Sequence, residues 1–99
     1  MMRVITKKRI DEYIKEHADS DVALKDWYHK TLKTDWSTFE DVKNTFGSVD
    51  YVGNKRYVFN IKGNSYRLIA IIRLDYKIVY IRFIATHAEY DKITDCSKI

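Results

Sequence analysis

Two segments in the second half of the chain decide the reading of this sequence. The first is Tyr57-Val58-Phe59-Asn60-Ile61-Lys62-Gly63-Asn64-Ser65-Tyr66-Arg67-Leu68-Ile69, and the second is Tyr80-Ile81-Arg82-Phe83-Ile84-Ala85-Thr86-His87-Ala88-Glu89-Tyr90-Asp91. Both read as strands that carry arginine inside apolar runs. An arginine in a mostly buried strand is costly unless it finds a partner. Two of them, with a histidine and a tyrosine where the second strand ends, predict a surface that holds an anion.

Working outward, Tyr57 to Ile61 alternates in period two, and Lys62-Gly63-Asn64-Ser65 reads as a hairpin loop. Tyr66 to Leu74 is a nearly continuous apolar run with Arg67 and Arg73 inside it. Asp75-Tyr76-Lys77 turns the chain, and Ile78 to Ala85 is apolar again. Strands apolar on both faces belong in the middle of a covered sheet. Upstream of Gly47 the period is helical. After a short strand near Arg3–Thr6, Thr6 offers a cap, and Ile10, Tyr13, Ile14 and His17 form one stripe. Asp19-Ser20-Asp21 marks a break. Leu24, Trp27, Tyr28, Thr31 and Leu32 form a second stripe. Ser37 and Glu40 fit a capping box ahead of a third helix that ends at Gly47. Thr86 and Glu89 fit another, which places His87 at the first position of a short C-terminal helix. Thr94 to Ile99 reads as a fraying tail. The expected class is α+β: N-terminal helices packed on an antiparallel sheet of three to four strands, with a short C-terminal helix.

The 99 residues make one domain, 1–99. A net charge of +4 and a pI near 9.1 favour a polyanion or an acidic protein as partner. No apolar run is long enough for a membrane span, and the charged start, Met1-Met2-Arg3, has no signal-peptide core. The lone Cys96 can form no internal disulfide and fits a reducing cytoplasm. His17, His29 and His87 lie on different elements without metal-ligand spacing, so no metal is expected, and the chain has no Walker loop, dinucleotide fingerprint or G-x-S-x-G elbow. Trp27, Tyr28 and Trp36 read as core anchors or an interface patch. Lys7-Lys8-Arg9 reads as a solvated helix start.

Several residues can do chemistry. Arg67 and Arg82 either pair with Asp50, Asp75 or Glu89, or hold a phosphate by charge-assisted contacts. Arg73 lies on the same strand face as Arg67; the face of Arg82 depends on a register that spacing does not reveal. His87 either helps cap its helix or exchanges protons. Lys55, Arg56, Asn60, Lys62 and Asn64 surround the first strand and its hairpin and are expected to contact nucleic acid.

Taken together, Tyr57-Val58-Phe59-Asn60, Gly63-Asn64, Arg67, Tyr80-Ile81-Arg82, Thr86-His87 and Glu89-Tyr90-Asp91 resemble the HigB-type toxins of type II toxin–antitoxin systems, within the RelE-like superfamily. The resemblance implies a RelE-like fold and a small endoribonuclease that cleaves mRNA at the A site of the small ribosomal subunit. It also implies neutralisation by a HigA-like helix-turn-helix antitoxin, and neither metal nor cofactor. Arg67 then matches the superfamily's phosphate-stabilising strand arginine, His87 and Tyr90 fall near its basic and tyrosine positions, and Arg82 is a second phosphate ligand. Val58 and Asn60 stand where the superfamily often carries lysine, which leaves the general base open among Lys55, Lys62 and His87. A ParE-like toxin that acts by protein binding, and a non-catalytic RNA-binding domain, are the competing expectations.

Overall fold

The computed structural model describes residues 1–99. Its elements in chain order are β1 (Arg3–Ile5), α1 (Lys8–Glu16), a 3₁₀ turn (Ala18–Ser20), α2 (Asp21–Leu32), α3 (Phe39–Thr45), β2 (Asp50–Gly53), β3 (Arg56–Ile61), β4 (Tyr66–Arg73), β5 (Ile78–Thr86), α4 (His87–Asp91) and a final 3₁₀ turn (Cys96–Lys98). The sheet order is β1-β5-β4-β3-β2. The α+β class holds, but the sheet has five strands and is mixed. β1 joins the β5 edge in parallel, and β2 adds an antiparallel strand at the other edge. β2 escapes sequence reading because it is a short edge strand whose first two residues are exposed, so no alternation marks it.

The strand period sorts side chains between two faces. Tyr57, Phe59 and Ile61 of β3, Tyr66, Leu68, Ala70 and Ile72 of β4, and Val79 and Ile81 of β5 face the helices and join Leu24, Trp27, Trp36 and Val42 in one core. Trp27 and Phe46 both meet Phe59, with ring centroids 5.4 Å apart. Phe59→Ala would cost about 3–5 kcal/mol through lost burial and the cavity left behind. On the opposite face Val58, Ile69 and Ala85 are buried outside that core. There α4 folds back against β4 and β5, and the last 3₁₀ turn packs against β2.

Local details depart from expectation in informative ways. Thr6 does not cap α1. It takes a positive φ of 71° and its hydroxyl accepts from the Ile81 amide at 3.0 Å, extending the β1–β5 pairing by a side chain. The capping box of α3 is Thr38–Asp41, one residue later than Ser37–Glu40; Asp41 accepts from both the Ser37 and Thr38 amides, at 2.8 and 3.1 Å. Gly47 follows the helix end but needs no left-handed backbone, because Phe46 is already extended. The Thr86–Glu89 box forms as read. The tail does not fray: the Asn54 amide donates to Ser97 O at 3.1 Å and Arg56 Nε to Ile99 O at 3.0 Å.

Candidate active site

Arg67 sits on the face of β4 away from the main helices, opposite Asn60 of β3 and Ala85 of β5. It is 9% exposed and forms no ion pair. Nη1 donates to the carbonyls of Asn64 and Tyr66, both at 3.2 Å, while Nε and Nη2 have no protein acceptor. Its guanidinium lies over the Tyr90 ring, 5.5 Å from the centroid. A buried cation is tolerable here because carbonyl dipoles and a π face replace part of its hydration. Its remaining N–H groups can take a phosphate oxygen.

The hairpin places the rest of the site. Lys62 and Gly63 hold positive φ of 52° and 63°, which closes the β3–β4 turn tightly and brings Asn64 O to Arg67. The His87 amide donates to Ser65 O at 3.0 Å, so the hairpin tethers the start of α4. His87 is half exposed, at 51% for its side chain, and its Nε2 lies 3.4 Å from Asp91 one turn on. Tyr90 follows on the same helix. Burial first, then the adjacent Cys96 thiol and Asp50 carboxylate, push its hydroxyl up to about 12, against the opposing pull of Arg67. A hydroxyl so raised stays protonated at neutral pH and keeps a proton with which to donate a hydrogen bond. Glu89, bound by the Thr86 amide and hydroxyl, is held below the usual carboxylate range and stays charged.

The structure therefore groups Arg67, Asn60, Asn64, His87 and Tyr90 at one end of the sheet. It leaves the other sequence candidates elsewhere. Lys62 reaches the helix side, where Asp19 binds its Nζ at 3.0 Å and the Tyr66 hydroxyl at 2.5 Å. Arg56 is engaged with Ile99 O and Asn54 O. Lys55 sits in the β2–β3 turn at the far end, near Arg73. Arg73 binds Asp75 through Nε at 3.3 Å and Nη2 at 3.1 Å. Arg82 pairs with none of Asp50, Asp75 and Glu89; it projects from a bulge in β5, exposed and away from Tyr90. Sequence reading missed Asp50 and Cys96 as neighbours of Tyr90. Only the docking of the tail, contacts 43 residues apart in the chain, brings that segment to the sheet.

Comparison with known proteins identifies the family. Residues 20–93 match the family described as HigB_toxin, RelE-like toxic component of a toxin-antitoxin system. The mRNA interferase HigB of Escherichia coli O6:H1 is 35% identical over 95 residues, which cover 94% of this chain and 92% of that protein. The mRNA interferase toxin HigB of Escherichia coli K12 is 31% identical over 96 residues, 94% of this chain and 91% of its own length. No helix is long and apolar enough to cross a membrane. With its strand arginine, capped histidine helix and matching relatives, the chain belongs to the HigB family of RelE-like toxins.

Proposed function

We propose that this protein is an mRNA-cleaving endoribonuclease, the toxin of a type II pair, working in the cytoplasm at the A site of the translating ribosome and silenced by a HigA-like helix-turn-helix antitoxin. The observation that carries the chemistry is Arg67: a buried guanidinium in no ion pair, with open N–H groups, stacked on Tyr90 and bordered by the His87 helix. The names of the relatives support the substrate.

RNA brings its own nucleophile, the 2′-OH. The reaction is attack of that oxygen on the adjacent phosphorus, with departure of the 5′-oxygen and formation of a 2′,3′-cyclic phosphate. One proton leaves the 2′-OH and one arrives at the 5′-oxygen. Arg67 stabilises the charge that builds on the non-bridging oxygens; in a water-poor site such a preorganised donor gains strength. Imidazole exchanges protons near neutral pH, and His87 is accessible, so it serves as the proton carrier. Tyr90, held protonated, donates a hydrogen bond to the phosphate or the leaving oxygen. Asn60 and Asn64 border the scissile nucleotide. Lys55, Arg56, Lys62 and Arg73 act at longer range on the RNA backbone.

Induced expression followed by mapping of mRNA 5′ ends tests the reading. New ends within coding regions are expected, absent with Arg67→Ala. Growth arrest without new ends would instead indicate a toxin acting by protein binding.

A further inference from the structure

Three of the five arginines outside the cleavage centre, Arg9, Arg73 and Arg82, line one cleft. Arg82 is the extra residue of a β-bulge: Ala70 pairs with Ile81 and Ile69 with Phe83, so Arg82 has no partner on β4. A bulge re-aims the side chain it carries. Here it turns Arg82 into a cleft of about 320 Å³ between β4, β5 and the entry to α1. Thr6, Arg9, Ile71, Arg73 and Tyr80 line that cleft with it. Arg73 is already neutralised by Asp75 and rests on the Tyr76 ring, 4.7 Å from its centroid. Arg9 and Arg82 are different. Both are exposed, and neither guanidinium makes an ion pair or a hydrogen bond. Asp75 is committed to Arg73, and Glu12 to Lys8 at 3.7 Å; Glu16, unpaired, borders Arg9 in the neighbouring groove and does not line this cleft. Two unpaired guanidinium groups around one cavity repel, and an anion between them relieves that. Tyr80 and Tyr76, 36% and 64% exposed, present aromatic faces beside the cations.

We propose that this cleft is a second RNA-binding site, separate from the cleavage centre, in which Arg9 and Arg82 hold a backbone phosphate of a single strand and Tyr80 stacks a base. Unpaired guanidinium with an adjacent aromatic face is the chemistry of single-stranded nucleic-acid binding; an acidic peptide has use for the charges only. The volume is near the lower limit for a ligand pocket, enough for one nucleotide and too small for a duplex. Arg73 lies six residues from Arg67, about 20 Å at ~3.3 Å per residue. That is the length of about six stacked nucleotides at ~3.4 Å each. One RNA strand can thus occupy both sites. The proposal rests on the RNA reading above and extends it to where the strand is gripped.

The test uses a fluorescein-labelled single-stranded RNA of twelve nucleotides and the full chain carrying Arg67→Ala, which prevents cleavage. Arg9→Gln and Arg82→Gln, added singly, are expected to weaken binding about tenfold, and each to lower the slope of log affinity against log salt by about 0.7. Tyr80→Ala should weaken binding about tenfold with the slope unchanged. Thermal melts check folding, and Arg9, on the exposed face of α1, is the safest position. Absence of binding by the parent, or unchanged binding in all three variants, overturns the proposal. So does displacement of the RNA by an acidic peptide that binds the Tyr80→Ala variant equally well, since that marks a protein-docking cleft. Cleavage by the unsubstituted protein is assayed separately. RNA bound through the cleft but never cut would sink the enzymatic reading and leave this one standing.

Discussion

Arginines gather at two places, around Arg67 on the sheet and in the cleft between β4, β5 and α1, and the two are built on opposite plans. At the Arg67 end the guanidinium is buried, braced by two carbonyls and covered by Tyr90. At the other end Arg9 and Arg82 are exposed and unbraced around an open cleft. The contrast shows what each kind of charge is suited to. A cation that must meet charge developing on a reacting phosphate gains from a fixed position and a low dielectric. A cation that must catch and release a polyelectrolyte gains from water and mobility, and its hold weakens with salt. The comparison breaks if substitutions at the closed end affect RNA affinity, or if those at the open end affect the chemical step.

The largest effect is expected at His87. His87→Gln keeps hydrogen-bonding capacity but cannot exchange a proton near pH 7. Single-turnover cleavage should fall about 10²–10⁴-fold, with the pH dependence of the step lost. Because α4 is capped by Thr86 and Glu89 and not by the imidazole, melting should change little. A normal rate with an unaltered pH profile would move proton transfer to Tyr90 or a lysine.

Arg67→Ala follows, with a loss of about 10²–10³ in the cleavage rate, the usual size for removing one donor to a charged transition state. Affinity for uncleaved RNA should drop far less than it does with Arg9→Gln or Arg82→Gln. A loss confined to affinity would erase the distinction between the two ends. Arg67 is buried, so melts must accompany the assay.

How much of this contrast was visible in the sequence depends on the range of the contacts that create it. Tyr66–Leu74 is legible as a covered strand because both of its faces are apolar; Trp27 and Trp36 are legible as core anchors or an interface patch, and burial makes them core. The His87 helix was legible from Thr86 and Glu89, a contact three residues long. The site at Arg67 could be suspected from an arginine within an apolar run, and the family resemblance named it. The position of Arg82 could not be read, because a bulge resets alternation and leaves no local mark. Nor could the docked tail, since Asp95-Cys96-Ser97-Lys98-Ile99 looks like solvent-exposed chain until Asn54 binds the Ser97 carbonyl and Arg56 that of Ile99. Arg9 looked like one member of a solvated run; only the packing of α1 beside β5 gives it a cleft to line.

Tyr90→Phe should have a smaller effect that sharpens the division of labour within the closed end. The ring beneath Arg67 remains and only the hydroxyl is lost. If that hydroxyl donates a hydrogen bond without transferring its proton, cleavage falls about three- to tenfold, the worth of one hydrogen bond. A fall beyond 10² would assign it the proton transfer here given to His87. The rate should not rise with alkali below pH 10 on account of this group, because its hydroxyl is held up to about 12.

The smallest effect is expected behind the closed end, at Asp19. Its carboxylate ties the hairpin to the helical layer by accepting from the Tyr66 hydroxyl and from Lys62 Nζ. The Tyr66 hydrogen bond first, and Lys62 second, hold Asp19 below the usual carboxylate range. A depressed carboxylate contributes stability that is fully present above its unfolded-state value near pH 4 and is lost as the pH falls through the folded value. Asp19→Asn should therefore lower the melting temperature at pH 7 by no more than a few degrees, because exposed pairs contribute little. The gap between the two proteins should close as the pH is taken from 5 toward 2. Cleavage should change less than with Tyr90→Phe, since the hairpin retains its positive-φ turn and the His87–Ser65 hydrogen bond. A gap that is constant with pH would show that the tie acts through shape alone and not through charge. A cleavage loss as large as that of Arg67→Ala would show that the rigidity of the closed end is set from the helical side of the sheet, behind the arginine.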